Sequence, residues 1–135
     1  MAGYVFPKKT IRDISVHGKR ILLRADFNVP LNKDGTISSD YRITQTIPTI
    51  NYLLERQCEV VIVSHLGRPD GKRNLKYSLE PVAQRLSELL KQQVEFVADC
   101  ANDTTVQALK RVRPGAVTLL ENVRFYPGEE ANDID

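Results

Sequence analysis

The chain has 135 residues, enough for one domain with its own core, and 41% hydrophobic with 27% charged residues fits an ordinary globular protein rather than a disordered one. Lys and Arg number 19 against 17 Asp and Glu, so a net charge of +2 gives no reason to expect nucleic acid as the partner. Residues 1–9 hold no apolar signal core and no stretch approaches transmembrane length, so a cytoplasmic protein with no membrane partner is expected.

In chain order, a polar lead-in reaches about Lys19, and 20–25 reads as the first strand, with Asp26-Phe27-Asn28-Val29-Pro30 as its exit. Asn32-Lys33-Asp34-Gly35 carries the Asp-Gly signal of a tight turn. From 40 to 56, Ile43, Ile47, Ile50 and Leu54 recur at helical spacing, and Pro48 either kinks that helix or marks its first turn. Val60-Val61-Ile62-Val63 is β-branched throughout, as suits a strand buried on both faces. It stops at Ser64-His65-Leu66-Gly67-Arg68-Pro69, where Gly67 can turn tightly and Pro69 cannot continue a ladder.

A polar, basic loop over 70–77 leads to the clearest helix, with Ser78 as N-cap, Pro81 in its first turn and an apolar stripe of Leu79, Val82, Leu86, Leu89 and Leu90. A short strand at 94–97, a helix over 103–112 and a buried strand at 116–120 follow, the last leaving at Glu121-Asn122-Val123-Arg124-Phe125. Residues 128–135 read as the polar lead-in to a further helix. Strands alternating with helices predict an α/β, Rossmann-like three-layer αβα fold around a mainly parallel sheet. The sheet is expected to be incomplete at its C-terminal end.

Three predicted strands end in polar signatures: Asp26 and Asn28, then His65 and Arg68, then Arg124. Parallel strands end on one side of a sheet, where ligands of open α/β folds sit, so these residues are expected to converge. Arg42 joins them from the first turn of its helix. Several Arg and a His suit a small substrate with two separated negative groups, such as a phosphate and a carboxylate, while Asp26 and Asn28 suit a hydroxyl. Taken singly, Asp26 reads as a turn former and Asn28 as a loop side chain bonded to its own backbone. Arg24, inside its strand, reads as half of a structural ion pair.

Other chemistries are not indicated. Gly67-Arg68-Pro69-Asp70-Gly71-Lys72-Arg73 is one residue short of a phosphate-binding P-loop and has Arg73 where Ser or Thr must hold magnesium. His17 and His65 share no ligand spacing, so no metal site is expected. Ser64 and His65 are adjacent and point to opposite faces, which gives no nucleophile–base pair. Cys58 and Cys100 lie far apart and are expected as buried thiols.

Arg24-Ala25-Asp26-Phe27-Asn28-Val29-Pro30, Asp40-Tyr41-Arg42-Ile43, Ser64-His65-Leu66-Gly67-Arg68-Pro69 and Leu120-Glu121-Asn122-Val123-Arg124-Phe125 together resemble phosphoglycerate kinase, in the order and with the separations of that family. The resemblance covers most of the family's N-terminal domain, so residues 1–135 are expected to be part of that substrate-binding domain. It implies reversible phosphoryl transfer in glycolysis, from 1,3-bisphosphoglycerate to MgADP, giving 3-phosphoglycerate and MgATP. It further implies that Asp26 and Asn28 hold the glycerate hydroxyl and carboxyl end. His65, Arg68 and Arg124 would grip the non-transferred phosphate, with Phe27, Leu66 and Gly67 shaping the loops. Arg42 would face the carboxyl group and, during reaction, the migrating phosphoryl, which makes it the expected catalytic residue.

The family's nucleotide-binding domain, which holds MgATP or MgADP, has no counterpart here, and the family's next basic phosphate ligand lies beyond Asp135. This stretch alone is therefore expected to be inactive, to bind no cofactor, and to belong to an enzyme that works as a monomer. The alternative is a non-catalytic module that binds small anions. A nucleic-acid binder using Arg42, Lys72, Arg73 and Arg124 ranks third, given the low net charge.

Overall fold

A computed structural model describes residues 7–134; residues 1–6 of the lead-in, with most of the stretch read as lacking a signal core, and residue 135 lie outside the described residues. Four strands form one sheet: β1 (Arg20–Arg24), β2 (Glu59–Val63), β3 (Val94–Val97) and β4 (Val117–Leu120). Their order is β1-β2-β4-β3 and every pair is parallel, a Rossmann-like α/β arrangement.

The helices α1 (Tyr41–Glu55) and α2 (Glu80–Leu90) cover one face. Their buried residues Ile43, Ile50, Leu53, Val82, Ala83 and Leu86 join Val60, Ile62, Val117 and Leu119 of the central strands in one core. Side chains alternate along a strand, so Leu22, Val61 and Thr118 face the other way. The crossover from β3 back to β4 reverses direction across the sheet. A right-handed connection therefore puts α3 (Asp103–Leu109) on that second face. Arg20 reaches across to it, donating from Nη2 to the Leu109 carbonyl at 2.6 Å. The second layer is thin, and Leu22 stays 69% exposed.

Several local expectations are corrected. Pro48 does not start α1: it lies inside the helix on an exposed turn, where the Thr44 carbonyl that loses its partner can bond water. The helix expected from Ser78 begins at Glu80, with Leu79 as the residue before it and the Leu79 amide donating to the Glu121 carboxylate at 2.8 Å. Ser78 still works at this end, its hydroxyl accepting the Glu80 amide at 3.2 Å. Helix α3 stops at Leu109 rather than 112. The C-terminal stretch forms a short helix, α4 (Pro127–Ala131), opened by Pro127 and closed by Asn132 in the left-handed conformation. Cys58 is buried and Cys100 half-buried, and both are free thiols. Burial, with Asp99 nearby, pushes the Cys100 thiol up to about 11. None of the helices among the described residues is long and apolar enough to cross a membrane.

Candidate anion site at the strand ends

β1, β2 and β4 are neighbours in the sheet and end on the same side, so their three exit loops lie next to one another. Across two interstrand spacings the outer loops are about 10 Å apart. Hydrogen bonds brace the loops together. Ser64 is fully buried, and its hydroxyl accepts the Phe27 amide at 2.9 Å. The Val123 amide donates to the Ser64 carbonyl at 3.1 Å. Asn28 reaches over with its carboxamide oxygen to accept the Gly67 amide at 2.9 Å.

The third loop is held by two buried side chains. Asn122 is 0% exposed; its Nδ2 donates to the carbonyls of Leu66 at 2.8 Å and Tyr77 at 2.9 Å, and its Oδ1 accepts the Arg124 amide at 3.0 Å. Glu121 is 2% exposed and has no cation beside it among the described residues. Its carboxylate accepts instead from the Ser78 hydroxyl and from the amides of Leu79 and Asn122, at 2.7, 2.8 and 2.9 Å. Donors directed at its oxygens replace the water that burial removes. The sequence reading assigned neither residue a role beyond strand exit, although an Asn two residues before Arg124 is an Asx-turn signal.

On this scaffold sit the expected residues. Arg42, in the first turn of α1, donates from Nη1 to Asp26 at 3.2 Å and to the Asn28 carbonyl at 2.7 Å. Its Nε and Nη2 have no partner among the described residues. Asp26 also accepts the Asn28 amide at 3.2 Å, the local turn that its sequence context suggests. Arg68 is exposed and makes no hydrogen bond or ion pair among the described residues. Phe27 and Leu66 are buried in the core and give the loops their shape, while Gly67 adopts φ +62° beneath the Tyr77 ring.

His65 is half-buried between the charges. Burial pulls its pKa below the usual 6.5; Arg124 and Arg24 pull it further down, and Asp26 and Glu129 pull it up. Arg24 and Arg124 share one carboxylate. Glu129 accepts from Arg24 Nη2 at 2.6 Å and from Arg124 Nε at 3.0 Å, so the structural ion pair expected of Arg24 is present. Burial raises the Glu129 pKa, but the bonds from Arg24 and Arg124 outweigh it and hold the carboxyl below its ordinary range. Glu129 carries no signal of its own in the sequence, because the C-terminal stretch reads as a lead-in.

The charges of Arg124, Asp26, Glu129 and Arg24 all act on His65, and Arg42 is bonded to Asp26, so these side chains are brought together, whereas nothing ties Arg68 to them among the described residues. A cavity of about 510 Å³ is lined by Asn28, Leu66, Gly67, Lys33, Lys76 and Tyr77 among others. Arg42, His65, Arg68 and Arg124 do not line that cavity. Among the described residues no three His, Cys, Asp or Glu side chains are grouped to hold a metal ion.

The sequence model of the family described as "Phosphoglycerate kinase" matches residues 11–135. Over 126 residues the chain is 57% identical to the phosphoglycerate kinase of Borreliella afzelii (strain PKo), covering 93% of this chain and 32% of that protein. It is 52% identical over 126 residues to that of Desulforudis audaxviator (strain MP104C), with the same two coverages. The chain therefore spans about a third of the length of the curated relatives it matches. Among solved structures, the phosphoglycerate kinase of Pyrococcus horikoshii OT3 superposes with a TM-score of 0.80 and 40% identity, over 88% of this chain and 29% of that one. The enzyme from Coxiella burnetii gives 0.74 and 40%, over 86% and 28%.

Proposed function

Since the chain belongs to the phosphoglycerate kinase family, we propose that residues 1–135 are part of its substrate-binding domain and supply the half-site that holds 3-phosphoglycerate and 1,3-bisphosphoglycerate. One observation carries this reading. Three adjacent parallel strands end in cross-braced loops that carry His65, Arg68 and Arg124, and Arg42 is bonded to the first of those loops. Arg42 is bonded to the loop after β1 and Arg124 belongs to the loop after β4, two strands along the sheet. That arrangement suits a small molecule with an anionic group at each end. His65, Arg68 and Arg124 take the phosphate that stays; Arg42, Asp26 and Asn28 take the carboxyl and hydroxyl end.

In the reaction, the bond between phosphorus and the acyl oxygen of 1,3-bisphosphoglycerate breaks. A new bond forms to the terminal phosphate oxygen of ADP, and a carboxylate departs. The protein's task in such a transfer is to position the reactants and stabilise charge spread over the phosphoryl oxygens. The Nε and Nη2 hydrogens of Arg42 serve that end, while Nη1 stays braced to the β1 loop. The co-substrate MgADP does not fit the residues at hand: Asp26 and Glu129 are both engaged by arginine, and among the described residues no acidic cluster accompanies them. The nucleotide is accordingly held elsewhere in the enzyme, and the chain alone has no kinase activity. We place the enzyme in the cytoplasm, as a monomer. A non-catalytic anion-binding module remains the second reading, favoured by the same residues taken without a nucleotide site.

An amide NMR titration with 3-phosphoglycerate, with MgADP as the control, tests the proposal. Saturable shifts at Asp26, Arg42, His65 and Arg124 are expected, with no response to MgADP. A folded sample that shows no shifts overturns the claim of a retained half-site.

A further inference from the structure

A carboxylate already occupies the phosphate end of this half-site. Glu129 bridges Arg24, at the end of β1, and Arg124, in the loop after β4, with one oxygen to each guanidinium. Its side chain is only 19% exposed, and that of Arg124 24%. Two guanidiniums converging on one small anion are also what a phosphate group requires, since its oxygens accept the same kind of charge-assisted bond. Glu130 stands behind, 3.7 Å from Arg124 Nε.

The element that delivers Glu129 is weakly held. Helix α4 has five residues, none of them buried. Its first residue, Pro127, packs against Gly71, where an added Cβ would come within 2.9 Å of the proline ring. Withdrawing the Glu129 side chain therefore removes no apolar residue from the core. Arg124, by contrast, is fixed through its backbone to buried Asn122. The backbone that carries the arginine is held independently of the carboxylate partner, which can leave.

We propose that Glu129 is a further residue of the site, an internal ligand that holds the Arg24–Arg124 pair until the substrate phosphate takes its place. Phosphate binding here is an exchange of one anion for another, and it frees the side chain that ties α4 to the strand ends. This rests on the reading of Arg124 as a phosphate ligand. Because an internal competitor weakens every ligand of the pair by the same factor, its removal strengthens all of them alike.

The test is a titration of the folded chain with inorganic phosphate and, separately, with sulfate at constant ionic strength, followed by amide NMR. Four proteins are compared: the unaltered chain, Glu129→Gln, Glu130→Gln and Arg124→Met. Glu129→Gln is expected to bind both dianions roughly tenfold more tightly, as loss of a competitor held by two charge-assisted bonds implies. Glu130→Gln is expected to change little and Arg124→Met to lose binding. If Glu129→Gln binds no more tightly, or gains for one dianion only, while Arg124→Met still loses binding, the exchange is wrong and the half-site stands. If phosphate binds neither the unaltered chain nor Glu129→Gln, the half-site and the exchange fall together.

Discussion

The carboxamide oxygen of Asn28 accepts the amide hydrogen of Gly67 at 2.9 Å, which pins the loop after β1 to the loop after β2 one residue before Arg68. Gly67 can present that amide because it adopts φ +62° and has no side chain: a Cβ there would lie 2.4 Å from the Tyr77 ring. Gly67→Ala is expected to destabilise the chain by roughly 2–4 kcal/mol, combining left-handed strain with overpacking. Urea unfolding measures this, and a loss below about 1 kcal/mol would mean that Tyr77 moves aside freely.

Asn122 is the second brace, and its bonds reach three separate segments. Asn122→Ala leaves the carbonyls of Leu66 and Tyr77 and the amide of Arg124 without their partner. Removing one side of several buried hydrogen bonds is expected to cost roughly 3 kcal/mol. Thermal or urea denaturation gives the number; a change within about 0.5 kcal/mol would show that water replaces the side chain.

Arg42 is bound only on the surface, by an ion pair to Asp26 in which both side chains are about half exposed. Arg42→Ala is therefore expected to change stability by less than about 1 kcal/mol. In a phosphoglycerate kinase of the relatives' full length carrying these residues, the same change is expected to lower turnover by about a hundredfold or more. Steady-state kinetics beside an unfolding curve separates the two effects, and unchanged turnover removes Arg42 from the mechanism.

His65 gives a pH signature. Burial first, then Arg124, lowers its pKa in the folded chain, so the unfolded chain takes up the proton at higher pH than the folded one. The associated stability is present above about 6.5 and is lost as the pH falls through the folded value. An NMR titration of the imidazole should give a midpoint below 6.5 that rises when phosphate binds. His65→Gln should flatten the fall in urea midpoint from about pH 7 to about pH 5. A midpoint above 6.5 would mean that Asp26 and Glu129 outweigh burial and the two arginines.

Much of this site is legible in the sequence, for a physical reason. Runs such as 60–63 leave a parallel strand little alternative, and parallel strands end on one side, so His65, Asp26 and Arg124 had to meet. The helix carrying Arg42 announces itself through Ile43, Ile47, Ile50 and Leu54. What the sequence hides is partnership across distance. Ser78 looks like an ordinary N-cap, and nothing local announces that the Glu121 carboxylate, 42 residues from Leu79, takes the Leu79 amide. Arg24 looks paired, but its partner is 105 residues away on a five-residue helix with no apolar pattern to betray it.

The strand order also bears on how the molecule is made. β4 comes last of the four strands described, yet it takes the place between β2 and β3, and β3 pairs with no other strand among the described residues. A nascent chain that has not reached Val117 holds only the β1–β2 pair, and two strands alone are marginally stable. One late insertion then joins the four strands and, because Asn122 and Arg124 directly follow β4, brings both residues to the loops after β1 and β2. A stalled or prematurely cleaved chain lacks both at once. Such a product exposes the bare ladder edge of β2, which invites aggregation or proteolysis.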